Sequence, residues 1–261
     1  MENLLLEWLS MDGLLLFGIG ILAAIIGVMF GAAGFVLLPA LLLVGIPIHA
    51  TVAVNKFATG VSSLSTVLVL ILKKKVRLKK MLPLMFVAAF GGISGAFFAT
   101  RLSEQMMNII ACIVLIAMFF VVLKGNKKGL VSEQQDTEEQ DGEQRTTLIA
   151  PFFIGIYDGG FGPGSALLNI TYFLKKQFSY LKAAELTRFM MFASCISAFL
   201  FYFFYGIVDW GFAIPVTVGS IVGSHIGLKI IPYLKGKWIQ FLLPTIFLLL
   251  IVQVVADLLS S

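Results

Sequence analysis

The chain has 261 residues, 59% of them hydrophobic and only 13% charged, and its mean hydropathy is +0.99. Soluble domains run nearer half apolar and a quarter charged, so this composition excludes an ordinary water-soluble fold and specifies an all-α polytopic membrane protein. A net charge of +5 invites a nucleic-acid reading in a soluble protein, but here the basic residues fall in short loops between apolar runs, where they set membrane orientation.

Apolar segments run at about 13–31, 34–47, 50–72, 81–100 and 105–123 in the first half of the chain. They resume at about 147–157, 163–174, 180–205, 210–231 and 238–256. No Lys or Arg precedes Lys56, and Glu2, Glu7 and Asp12 make the N-terminus acidic, which argues against a cleavable signal peptide. Between the halves lies "KGNKKGLVSEQQDTEEQDGEQRT", residues 124–146, a polar linker rich in Glu, Gln and Asp. The expected organisation is a first transmembrane repeat over 1–123, the cytoplasmic linker 124–146, and a second repeat over 147–261.

The halves echo each other. Gly31-Ala-Ala-Gly34 answers Gly159-Gly-Phe-Gly162 at a spacing of 128, Asn55-Lys56-Phe57 answers Thr187-Arg188-Phe189 at 132, and Gly91 and Gly95 answer Gly219 and Gly223 at 128. Five segments is an odd number, so the second copy is expected upside down relative to the first. Loop charge tests this. With 73–80 in the cytoplasm, sixteen of the nineteen Lys and Arg fall in cytoplasmic regions, Arg101 falls outside, and Lys56 and Arg188 fall within membrane segments. Both termini then emerge outside the cell membrane.

"YDGGFGPG", residues 157–164, breaks the second half, and "FGAAGF", residues 30–35, breaks the first. The first two segments of each half are therefore expected to be short or broken at mid-membrane. Irregular backbone at that depth survives only where it is buried in protein or lines a polar cavity. The glycines permit the turn, and Pro163 is expected to open the following half-helix at its first position. Each half-helix then aims unpaired N–H groups and a positive dipole end at a common site. Interrupted segments at matching places in two halves point to a transporter's midplane site.

Lys56 and Arg188, at matching depths, make that site one for an anion, since a buried cation needs a partner. Asn55, Thr187 and the turn glycines Gly31, Gly34, Gly159, Gly162 and Gly164 complete the expected binding set. Glu185, three residues before Arg188, offers that arginine a local mate instead, whereas Lys56 has no acid at such a spacing. Asp158 has three readings: a proton carrier, since burial makes a carboxylate easier to protonate, a partner for Arg188, or a structural cap. Gly91-x-x-x-Gly95-x-x-x-Ala99 and Gly219-x-x-x-Gly223-x-x-x-Gly227 read as close-packing stripes. Cys112 and Cys195 read as small buried hydrophobes, and His49 and His225 as structural, with no metal or cofactor implied.

Gly27, Gly31, Gly34, Phe35 and Pro39, the "YDGGFGPG" run, and the Asn-Lys-Phe and Thr-Arg-Phe segments together resemble the sulfite exporter TauE/SafE family. The resemblance extends over about 15–257, with Gly159, Gly162, Pro163 and Gly164 its most specific part, while Ala32 and Ala33 depart from it. It implies export of sulfite or an organosulfonate. The expectation is a secondary transporter of a small anion in the lipid bilayer, exporting, with protons as a coupling partner. Its alternatives are an anion importer of the same fold, an intramembrane enzyme built on Ser165 and His225, and a non-transporting scaffold.

Overall fold

The computed structural model describes residues 11–113 and 148–231, apart from Lys75, Arg77, Asn108, Ala111 and Cys112. The expected linker 124–146, the last apolar segment, most of the fifth, and Cys112 lie outside the described residues. All regular structure among the described residues is helical, and beside the helical residues 104–107, 109, 110 and 113 it comprises α1 Met11–Phe30, α2 Ala33–Leu43, α3 Ile48–Leu72, α4 Leu78–Ala99, α5 Ile149–Gly160, α6 Ser165–Lys175, α7 Tyr180–Phe204 and α8 Trp210–Ile230. Five of these, α1, α3, α4, α7 and α8, are long and apolar enough to cross a membrane.

The helix ends follow from local chemistry. Gly45, at φ 89°, turns the chain out of α2, and Pro47 then stands at the N-cap of α3. Ser179 caps α7 by accepting from the Lys182 N–H, and Asp209 caps α8 by accepting from the Gly211 N–H at 3.0 Å. The helices α2, α5 and α6 have 11, 12 and 11 residues, about 17 Å each at 1.5 Å per residue, well short of a bilayer core. One expectation needs correction here. α1 has 20 residues, about 30 Å, so the first segment of the chain is of spanning length and only its end meets the break. Unbroken apolar sequence from Gly13 to Phe30 carries the helix that far.

α3 and α7 pack against each other at the centre. α1 lies along α8, and α4 lies along α5; α4 also packs on α7 as α8 does on α3. Exchanging the halves leaves this pattern unchanged. The two outer seams are made by small residues, as the stripes suggested: a Cβ on Gly95 would run into the backbone of Ile156, and one on Gly223 into that of Ile21. Opposite its seam, α4 turns Leu82, Phe86, Phe90, Ile93 and Phe97 outward at helical spacing, the face that lipid covers.

The paired helices also correct the register. α2 Ala33–Leu43 is matched by α6 Ser165–Lys175, and α3 Ile48–Leu72 by α7 Tyr180–Phe204, with a spacing of 132 at both ends of each. Gly91 and Gly95 therefore answer Gly223 and Gly227 rather than Gly219 and Gly223, and Pro83 in α4 answers Pro215 in α8. Before the break the spacing is 131, since Gly31 at φ 72° is matched by Gly162 at φ 95°. The second turn holds one more residue, and the offset of 128 read at the turns and stripes aligned glycines that are not equivalent.

Candidate functional site

The two breaks meet. A Cβ on Gly34 would come 2.9 Å from Pro163 Cα, and one on Gly31 would run into the backbone of Leu167, so each turn rests on the start of the other half's short helix. Pro163 is not the first helical residue as expected. It stands in the turn, Gly164 at φ 79° is the N-cap, and α6 begins at Ser165. The Pro163 carbonyl instead accepts from Tyr157 Oη, and Tyr202 Oη donates to Gly159 O at 3.0 Å, closing two carbonyls freed by the break.

Lys56, fully buried in α3, donates from Nζ to Asp158 Oδ1 at 3.0 Å. Asp158 is likewise buried and takes further bonds from α6 and α7. Ser165 Oγ lies 2.6 Å from Oδ1, with Gly162 O as its other acceptor at 2.7 Å. On the other oxygen, Ser194 Oγ lies 2.5 Å and Cys195 Sγ 3.2 Å from Oδ2. Asp158 thus ties α5, α3, α6 and α7 together, and its cationic partner is Lys56 rather than Arg188. Lys56, which had no acid nearby in sequence, found one 102 residues away. Cys195 is buried as expected but also acts as a thiol donor.

Arg188, 4% exposed on α7, is differently placed. Among the described residues no carboxylate lies within 4.0 Å of it; its neighbour Glu185 reaches Lys182 at that distance instead. Arg188 Nη2 meets Gly27 O at 3.5 Å, the limit of hydrogen bonding, and Nε has no partner among the described residues. Its side chain lines a small cavity between the breaks. Gly27, Gly31, Ala33 and Gly34 wall it on one side, and Gly162, Ser165 and Ala166 on the other. Asn55, Thr59 and Asp158 supply further polar atoms, Asn55 Oδ1 accepting from Thr59 at 3.3 Å.

Of the expected set, the cavity therefore gathers Arg188, Asn55, Gly31, Gly34, Gly162 and Asp158. Lys56 stands behind Asp158. Gly159 is pressed on the Gly92 backbone, and Thr187 is wholly buried with its hydroxyl unpartnered among the described residues. Sequence reading missed Gly27 and Ala33 as cavity walls and Ser194 as a partner of Asp158. His225 bonds Ser65 at 2.6 Å and His49 meets Ala99 O at 3.2 Å, so Ser165 and His225, the pair imagined for an enzyme, have different partners. Among the described residues no cluster of metal ligands occurs.

Broken helices meeting around a buried cation and a polar cavity define a polytopic membrane protein with an internal polar cavity, an architecture found in transporters. The chain belongs to the sulfite exporter TauE/SafE family, whose sequence profile matches residues 16–254. It is 30% identical over 243 residues to a probable membrane transporter protein of a Sinorhizobium species, covering 93% of this chain and 92% of that one. It is 26% identical to a probable membrane transporter of Haemophilus influenzae, over 85% of this chain and 86% of the relative. Against the probable membrane transporter YfcA of Escherichia coli K12 identity is 25%, covering 83% and 79%. No solved structure matches. Family and relatives make this a membrane transporter.

Proposed function

We propose that the protein is a secondary transporter that moves a small sulfur-containing oxyanion, sulfite or an organosulfonate, outward across the cytoplasmic membrane. The observation that carries this reading is Arg188, a buried guanidinium in a polar cavity where two short helices begin, with no carboxylate within 4.0 Å among the described residues. A charge so placed needs a counter-ion, and in a transporter the substrate supplies it. The sulfur chemistry rests on the family's description. An inside-negative potential drives one negative charge outward by about 2.3 kcal/mol per 100 mV, which favours export. Asp158 is the carboxylate facing the cavity, and it is assigned the exchange of protons with it.

Two inverted copies joined by the 124–146 linker complete the proposal. Matching helix lengths, the exchangeable packing and the distribution of loop charge support it. The test is counterflow in proteoliposomes loaded with sulfite, methanesulfonate or sulfate. Labelled sulfite or sulfonate should accumulate transiently against the like anion. Absence of flux for every sulfur oxyanion, with the protein reconstituted and folded, overturns the reading.

A further inference from the structure

The corrected register places Gly27 opposite Asp158. Gly31 and Gly162 are the paired turn glycines, and both Gly27 and Asp158 stand four residues before them. The same register pairs Ala33 with Ser165, Lys56 with Arg188, Ser62 with Ser194 and Ser63 with Cys195.

The contacts obey this pairing. Lys56 reaches residue 158, and Arg188 reaches residue 27, its Nη2 3.5 Å from the Gly27 carbonyl oxygen. In one copy the cation finds a carboxylate held by a serine, a second serine and a thiol. In the other copy the carboxymethyl group is replaced by a hydrogen and the first of those serines by Ala33. Ser63, counterpart of the thiol donor, has a buried hydroxyl unpartnered among the described residues, as does Arg188 Nε. The place a Gly27 Cβ would take is met by the Ala33 methyl, and beside it lies the cavity walled by Gly27, Gly31, Ala33 and Arg188.

We propose that the transported anion binds in the cavity beside Gly27, its oxygens standing toward Arg188 as the Asp158 oxygens stand toward Lys56. This rests on the transporter reading and deepens it by naming the position and the class of ligand. The Lys56–Asp158 pair is the copy that the chain fills with its own carboxylate. The Arg188 copy is left to an external one, so each chain carries one substrate anion. A planar guanidinium grips an O–X–O edge with two parallel N–H bonds, a geometry that a spherical halide does not offer. The ligand is therefore a compact oxyanion head, sulfite, sulfonate or carboxylate, rather than chloride. Gly27 is needed for space as well, since a Cβ there would run into the Ala33 methyl.

Removing Arg188 risks unfolding, so the test adds a charge instead. Ala33→Asp tethers a carboxylate at the cavity wall, at the start of α2 where a negative charge is favoured. Ala33→Asn narrows the cavity to a similar degree without charge. Full-length protein purified in detergent is titrated with sodium methanesulfonate, sulfite, acetate and chloride at constant ionic strength, following thermal unfolding. In the parent protein the oxyanions should raise Tm more than chloride does. Ala33→Asp should be folded yet bind oxyanions at least about tenfold more weakly than Ala33→Asn, the loss of about one charge-assisted pair. Arg188→Lys should erase the preference for oxyanions over chloride while keeping some response to both.

Equal oxyanion binding by the two Ala33 variants, or an undiminished oxyanion preference in Arg188→Lys, overturns the assignment. The two readings fail separately. Oxyanion binding lost in Ala33→Asp, with no sulfite counterflow in the parent protein, defeats sulfur export and leaves the site standing. Normal sulfite counterflow by Ala33→Asp defeats the site and leaves transport standing.

Discussion

At the scale of the residue, the Lys56–Asp158 pair separates charge that is structural from charge that is available. Both groups are wholly buried, and removing one partner of such a pair leaves an uncompensated charge at a cost of about 3–5 kcal/mol. Lys56→Met should therefore lower Tm sharply in detergent, whatever it does to flux. Lys56→Met with Asp158→Asn removes both charges together and should recover most of that loss. A single Lys56 variant with unchanged Tm would show that the pair holds nothing together. That double variant also abolishes titration at position 158 without stranding a buried charge. Pumping driven by a pH gradient should then vanish, and exchange at equal pH should persist; unchanged pH-driven accumulation removes Asp158 from coupling. These roles were only half legible in sequence. Buried cations announce themselves by their rarity in apolar segments, but a partner 102 residues away has no local spacing to betray it.

At the scale of the element, the seams α4–α5 and α1–α8 depend on backbone approach, since lipid competes with any apolar side chain for contact. Gly95 lies against Ile156 and Gly160, with no room for a Cβ. Gly95→Leu should part α4 from α5 and abolish the monodisperse peak in fluorescence-detected gel filtration. Phe90→Leu on the outward face of the same helix should leave that peak in place, because Phe90 is 66% exposed. A normal peak for Gly95→Leu would mean the seam is not close-packed. The stripes were readable in sequence as packing motifs. Their register was not, because glycine is so frequent in this chain that several offsets align by chance, whereas Pro83 with Pro215 admits one spacing.

At the scale of the whole molecule, the proposed inversion makes an orientation that labelling can check. Single cysteines at 103 and 207 should react with an impermeant maleimide from outside, and those at 76 and 178 only after permeabilisation. Labelling of 103 and 178 from the same side would defeat the odd-numbered repeat. Sequence by itself determined the membrane class, the helical fold, the glycine breaks and the two cations. Each of these is a local property of composition or of a short run, and hydrocarbon punishes any departure from it. Only the tertiary structure decided which cation is neutralised. Lys56 and Arg188 sit in equivalent sequence contexts, and their difference lies on other helices, where Asp158 faces one and Gly27 faces the other. Charge compensation acts through space, and the fold brings together residues that the chain keeps far apart.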